Sequence, residues 1–396
     1  MARRAIRPRG GATVTAPPVS DSAAAVADRV RCARADRSAL RIVGAGSWLD
    51  AGRPVSAGQQ LNVPSLVPPG VVHYEPGDLT LTARATTPLA ELERIARAEG
   101  QWLPLDPFGS PNGTLGATVA TGSAGPLASA YGTPREQVLG CEFVSGAGDI
   151  VRAGGRVVKN VAGFDLVRLM TGAWGTLGIL TEISVRLRAL PAMETALAVP
   201  ASANDAWRWL RASEFTPLAA ELLSPALARS LGVGTSTTLL LRLGGNVPLV
   251  RAAEESVGSL GAPQRVDHAV WQALAMWEPE RAAVIRLSSR PSRLAPLWDR
   301  ASTMVERIGG FAHATPQRGV VRCILPMEGE SDEECARLRG IIGTLRMDAT
   351  CIAERLPASL WSSLMAPTAA DALSHGIRAA FDPDRILNPG ILGEPA

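Results

Sequence analysis

Residues 154–190, GGRVVKNVAGFDLVRLMTGAWGTLGILTEISVRLRAL, constrain the fold more than any other part of the chain. Glycines stand at Gly154, Gly155, Gly163, Gly172, Gly175 and Gly178. Glycine is required where φ is positive or where a ligand approaches the main chain closely. Their density between apolar runs predicts backbone laid against something flat or anionic. From Gly178 onward the residues alternate in the manner of a strand, through Ile179, Ile183, Val185 and Leu187.

Two earlier segments have the same character. A strand over 40–43 runs into Gly44, Ala45, Gly46 and Ser47. Small residues after a strand let consecutive N–H groups converge into a nest for an anion such as a phosphate, although a plain tight turn reads the same way. The third glycine of a dinucleotide turn is missing, because Trp48 and Leu49 come next. Residues 103–125, LPLDPFGSPNGTLGATVATGSAG, carry one charge, Asp106. A solvated loop would carry more charge and a packed core more Leu and Ile. Small neutral residues fit backbone pressed against a large ligand. The three segments together predict the lining of one extended, planar, phosphate-bearing cofactor.

Elsewhere the pattern is conventional. Helices are expected over 20–34 and 88–99, strands over 71–74, 79–83, 137–144 and 150–153. Beyond Pro191, strand-like runs over 239–243, 283–287 and 319–325 each carry an arginine, Arg242, Arg286 and Arg322. Helices near 203–213, 248–259, 293–308 and 331–343 separate them, which predicts an α+β unit whose sheet is covered on one face. A chain of 396 residues exceeds one compact core and predicts two domains. The boundaries fall at 1–19 (a disordered basic tail), 20–191, 192–380 and 381–396.

Net charge is +3, from 40 basic and 37 acidic residues, which argues against a nucleic-acid partner. No run reaches the roughly 18 apolar residues of a membrane span. The first twenty residues lack the apolar stretch of a signal peptide, so a cytoplasmic protein is expected, with at most peripheral membrane association through partners. Five cysteines, scattered and without CxxC spacing, spell neither a zinc site nor an iron–sulfur cluster, and no metal is expected. Lys159 is the only lysine in an arginine-biased chain, and it sits inside the first glycine-rich segment. A compact ammonium at that place and chance are both open readings.

These residues resemble the PCMH-type FAD-binding oxidoreductases of the vanillyl-alcohol oxidase family, and within them the FAD-binding subunits of bacterial glycolate oxidase. The resemblance is strong over 40–190, weak over 240–325 and clear over 381–390. Its most specific part is VKNVAGFDL, 158–166, followed by Gly175, Thr176, Leu177 and Gly178. Phe164 stands where the family usually has tyrosine, and Trp174 where it tends to have a small or acidic residue.

The resemblance implies an α+β fold, a PCMH-type FAD-binding domain of two α+β subdomains plus a smaller α+β cap domain. It places Gly44, Ala45, Gly46 and Ser47 on the FAD pyrophosphate, and Asp106 with Thr114, Leu115, Gly116, Ala117 and Thr118 along the ribityl chain and isoalloxazine. Gly172, Gly175, Thr176, Gly178 and Ile179 fall at the second diphosphate and adenine contact, and Asn388 where the terminal Asn-Pro-Gly returns to the flavin. Lys159 joins this cofactor-binding set. Some relatives tether the flavin through a histidine or cysteine around 45–48 or 110–125. This chain has neither there, which implies non-covalent FAD.

The implied chemistry is hydride transfer from a 2-hydroxy acid to the flavin. It needs an arginine for the carboxylate, with Arg286 and Arg322 as candidates, and a base for the hydroxyl proton, with His375 as the candidate. A flavin sister subunit and an iron–sulfur subunit are the implied partners. A stand-alone FAD-dependent alcohol or hydroxy-acid dehydrogenase, and a non-catalytic flavin-holding relay subunit, remain open beside a glycolate oxidase-like subunit.

Overall fold

A computed structural model describes residues 20–110, 112–155 and 165–393. Lys159 and Phe164 lie outside them. Among the described residues the chain is α+β, built on two large antiparallel sheets and a small parallel pair.

The pair comes first: β1 (Leu40–Val43) runs parallel to β2 (Gln59–Asn62). The preceding helix, Asp21–Ala35, is capped by the Ser20 hydroxyl, which accepts from the Ala23 N–H at 3.1 Å. Its Ala23, Val26, Ala27, Val30 and Ala33 recur at helical spacing and are buried against Leu40, Leu61, Val144 and Ile179.

The five-stranded sheet contains β3 (Val71–Glu75), β4 (Thr80–Arg84), β6 (Val138–Val144), β7 (Ile150–Gly154) and β8 (Ile179–Arg186), in the order β3-β4-β8-β6-β7. A two-residue pair, β5 (Gln101–Trp102) with β9 (Arg188–Ala189), flanks it. Leu81, Ala83, Phe143, Ile183 and Val185 face one core, which the helices Leu89–Ala98 and Leu115–Thr121 cover.

The second of these helices lies inside the small-residue segment 103–125, for which the sequence pattern predicts contact with a ligand but no helix. Thr114 caps it by accepting from the Ala117 N–H at 3.2 Å, and Gly122 ends it at φ +65°. Its small residues serve protein packing in part. A Cβ on Gly116 would lie 2.7 Å from the Ala85 Cβ and carbonyl.

The wider sheet has eight strands. They are β10 (Met193–Pro200), β11 (Ala219–Leu223), β12 (Thr238–Gly245), β13 (Gln264–Val266), β14 (Ala282–Ser288), β15 (Phe311–Thr315), β16 (Val320–Pro326) and β17 (Thr350–Arg355). Their order is β13-β10-β12-β11-β15-β16-β14-β17. Alternation sends Leu222, Leu239, Leu241, Ile285, Val321 and Leu325 to one face. There they pack under the helices Ala203–Ala212, Val247–Val257, Leu294–Glu306 and Asp332–Leu345.

The other face is not bare, contrary to expectation. Ala196, Ala198, Leu223 and Leu240 meet Trp102, Leu127 and the short helices Pro225–Ser230 and Ala269–Ala275. A second apolar cluster on that face joins Ala282, Val284 and Ile324 to Trp277 and Phe311, and polar and charged side chains of β10, β11, β12 and β14 to β17 lie between and beside the two clusters.

Candidate active site

The first half of the site is a cleft at the C-terminal end of β1. Gly44, Ala45, Gly46 and Ser47 form one lip, with Thr114, Gly116 and Ala117 opposite, and Gly175, Gly178 and Ile179 behind. A Cβ added to Gly44 would meet nothing nearer than the Thr114 hydroxyl at 3.5 Å, and one on Gly46 nothing nearer than Leu49 at 3.8 Å. The space those side chains would take belongs to the cleft. At Gly178 the absent side chain instead makes room for protein, since a Cβ would lie 2.6 Å from the Phe143 ring.

The only charged residues among the described lining are Arg41 and Arg53, both cationic. An apolar, small-residue cleft with positive charge at its edge matches a flat ring system joined to a pyrophosphate, so the residues present fit FAD. The sequence reading passed over both arginines, along with Trp48, Ala85 and Thr86, which also line the cleft.

Asn388 reaches this cleft from the far end of the chain. Leu40 donates to the Ile386 carbonyl at 2.7 Å and Asn388 donates to the Leu40 carbonyl at 2.9 Å, which stitches the segment alongside β1. The Asn388 side chain then ties two walls together. Its Oδ1 accepts from the Ile42 N–H and its Nδ2 donates to the Trp174 carbonyl, both at 2.8 Å. Asn388 and Trp174 both hold left-handed conformations, with φ of +44° and +53°. Such strain persists where the surroundings over-determine it.

Five expected cofactor contacts among the described residues lie off the cleft, Gly172 among them. Leu115 is core. Thr118 and Thr176 are buried with their hydroxyls donated to the carbonyls of Thr114 (3.0 Å) and Ala173 (2.7 Å). Asp106 is turned away, accepting from the Leu127 N–H at 2.9 Å. Burial pushes its carboxyl up to about 7, against the pull of that bond and of Arg242.

The second half of the site is the polar face of the eight-stranded sheet. Glu194, Arg242, Glu221, His313, Arg322, Arg286 and Glu354 lie across it, each on a different strand. Arg322 is 3% exposed. Its Nε donates to Glu354 at 2.7 Å, a second nitrogen donates to Glu278, and its guanidinium lies 4.5 Å from the centre of the Phe108 ring. Burial works against its charge, but Glu354 and Glu278 outweigh that and hold its pKa above the ordinary value. Its remaining terminal nitrogen is buried with no hydrogen-bond partner among the described residues, so the guanidinium is held mainly, though not wholly, by the two carboxylates.

Arg286 differs: its one ion pair among the described residues is the looser contact to Glu354 at 3.6 Å, and it opens into a cavity shared with Arg318, Arg135, Thr121 and Gly172. Gly172 therefore lies in this second cavity. Thr121 lines both cavities. Nothing in the sequence distinguished Arg318, which sits in a turn between β15 and β16.

His375 is exposed on the helix Ala372–Phe381 and lines neither cavity. The buried histidine is His313, whose Nδ1 is 2.8 Å from Glu221.

The profile of an FAD binding domain matches residues 19–154. Glycolate oxidase subunit GlcE of Escherichia coli (strain K12) is 37% identical over 256 residues, covering 64% of this chain and 68% of that protein. The mitochondrial D-lactate dehydrogenase (cytochrome) of Arabidopsis thaliana is 27% identical over 345 residues, 77% of this chain and 60% of that one. Among solved structures, an alkyldihydroxyacetonephosphate synthase superposes with a TM-score of 0.68 over 92% of this chain and 74% of that one, at 18% identity. That last likeness concerns the fold.

Proposed function

The chain belongs to the FAD-binding oxidoreductase family that includes glycolate oxidase subunit GlcE, and on that premise we propose that it oxidises a 2-hydroxy acid as the FAD-binding subunit of a glycolate oxidase-like dehydrogenase. The observation that carries this reading is the adjoining pair of cavities. One has Gly44 and Gly46 in its wall, whose missing side chains leave ligand space, the other holds guanidinium groups, and Thr121 is common to both.

In this reading residues 20–191 hold the cofactor, 192–380 form the substrate side, and 381–396 return to the cleft. Gly44, Ala45, Gly46 and Ser47, with Arg41 and Arg53 nearby, hold the diphosphate, and Gly175, Gly178 and Ile179 back the planar groups. Bound FAD supplies the two-electron acceptor. Arg286 and Arg318 orient the substrate carboxylate, and the apolar walls exclude water from the reacting carbon. Electrons leave to an iron–sulfur partner, which the scattered cysteines of this chain call for. Its compartment is the cytoplasm. Among the described residues no helix is long and apolar enough to cross a membrane.

The position of His375 favours a second reading, a flavin-holding relay subunit, because no described histidine lines either cavity. An anaerobic visible spectrum of the purified chain, before and after addition of 2-hydroxy acids, separates the two. A flavin spectrum that bleaches supports the dehydrogenase. A flavin spectrum that persists with every acid moves the chemistry to a sister subunit, and a colourless protein that takes up no FAD overturns both.

A further inference from the structure

The second cavity carries more positive charge than a two-carbon hydroxy acid can use. It measures about 290 Å³. At roughly 30 Å³ per water it holds on the order of ten water volumes, while glycolate has five non-hydrogen atoms. Its floor is Thr121, Gly122 and Ala124, at the end of the helix Leu115–Thr121, and its roof is Arg286, Ser288 and Val320 of the eight-stranded sheet with Arg318 of the turn between β15 and β16. Arg135 stands on a third side. Among the described lining residues there is no carboxylate.

The nearby acids are committed elsewhere. Glu354 serves Arg322 first, at 2.7 Å. Glu136 closes a capping box with Thr133. Glu221 is bonded to His313 and Thr315, and Asp106 to the Leu127 N–H. Arg318, half-buried, has neither a hydrogen bond nor an ion pair to any described residue. Burial, and then the charge of Arg286, push its pKa down, while Glu221, Asp106 and Glu136 act on it only through space. Arg135 donates to the Thr171 carbonyl at 3.4 Å, a weak commitment.

Two guanidinium groups that repel each other in a part-buried cavity are costly unless an anion lies between them. One carboxylate saturates one guanidinium fork in bidentate fashion. Two forks and a third cation at the side call for two carboxylates. We propose that the cavity of Arg286, Arg318 and Arg135 is a dicarboxylate site, so that the substrate is a four- or five-carbon 2-hydroxy dicarboxylate. This rests on the 2-hydroxy acid reading above. In the reaction the carbinol C–H bond breaks and its hydride passes to FAD, the hydroxyl proton is released, and a C=O bond forms to give the 2-oxo dicarboxylate.

The test uses the FAD-loaded full chain at fixed ionic strength. Malonate, which cannot be oxidised, is titrated against acetate, with the flavin difference spectrum as readout. D-malate, D-2-hydroxyglutarate, D-lactate and glycolate are then compared for anaerobic flavin reduction. Malonate is expected to bind at least about tenfold more tightly than acetate, and Arg318→Gln to remove at least about tenfold of malonate affinity at unchanged FAD content.

Arg318→Lys restores part of that affinity. Equal binding of malonate and acetate overturns the proposal. So does loss of FAD from Arg318→Gln, which would assign the arginines to the cofactor, and so does faster reduction by glycolate than by either dicarboxylate. If malonate binds through Arg318 but no hydroxy acid reduces the flavin, the dicarboxylate site stands and the dehydrogenase reading falls.

Discussion

The cleft beside β1 and the polar face of the eight-stranded sheet solve opposite problems. In the cleft, space comes from what is missing: Gly44 and Gly46 leave volume, and among the described lining charge is confined to Arg41 and Arg53. On the sheet, the surface is built from charge held in place by other charge. Arg322 is locked between Glu278 and Glu354, while Arg286 and Arg318 are left under-committed beside it. A subtractive site tolerates little added volume but depends weakly on any single bond. A charge-built site tolerates shape changes better and fails when one member of its network goes.

The largest effect should come from the network. Glu354→Ala leaves Arg322 buried with half its partners, and removing one member of a buried ion pair costs about 3–5 kcal/mol. Urea unfolding should show that loss, and a loss below about 1 kcal/mol would mean that Glu278 alone holds Arg322.

Asp106 provides the next test, because it connects the two regions without lining the cleft. Its carboxyl is raised from 3.8 to about 7, chiefly by burial. A raised acid stabilises the fold fully below its unfolded pKa and loses that contribution as pH climbs through the folded one. Between about pH 4 and 7 the native chain should therefore lose roughly 1.4 kcal/mol per pH unit relative to Asp106→Asn. Thermal unfolding at several pH values checks this. The variant should be flatter and more stable at pH 8, and parallel curves would show that the group does not titrate there.

The smallest change in stability belongs to the cleft. Gly178→Ala drives a Cβ into Phe143 and should cost about 1–3 kcal/mol. Gly44→Val should alter the stability of the FAD-free chain by less than about 0.5 kcal/mol while weakening FAD binding about tenfold or more. Equal destabilisation by the two would erase the distinction between glycines that serve the ligand and glycines that serve packing.

The same distinction explains how much of the molecule can be read from its sequence. Strands and helices with clear periodicity, such as β6 and the helices Leu89–Ala98 and Leu294–Glu306, coincide with their expected spans to within two residues. The three small-residue segments do converge on one cleft. The helix Leu115–Thr121 escaped because small side chains erase the apolar stripe by which a helix announces itself, and only its Thr114 cap and Gly122 stop betray it.

The charged face was harder. Arg286 and Arg322 sit in similar strand-like runs, but one opens into a cavity and the other is sealed. Their difference depends on Glu278 and Glu354, acids far away in sequence. Arg318 lies in a turn, where an arginine is ordinarily solvated. His375 precedes a recognisable tail, but its helix turns it to solvent. Charge partnerships across non-adjacent segments leave no periodic trace, whereas missing volume does.

The tie between Asn388, Ile42 and Trp174 has a consequence for biosynthesis. One wall of the cleft is made near the start of the chain, another midway, and the residue that binds them together only after the whole eight-stranded sheet has been translated. A nascent chain that has not yet exposed residues 386–388 has β1 without its stitched neighbour and Trp174 without its partner. The cleft is therefore complete only once translation has passed residue 388, in a chain whose eight-stranded sheet already has all the strands it needs to fold.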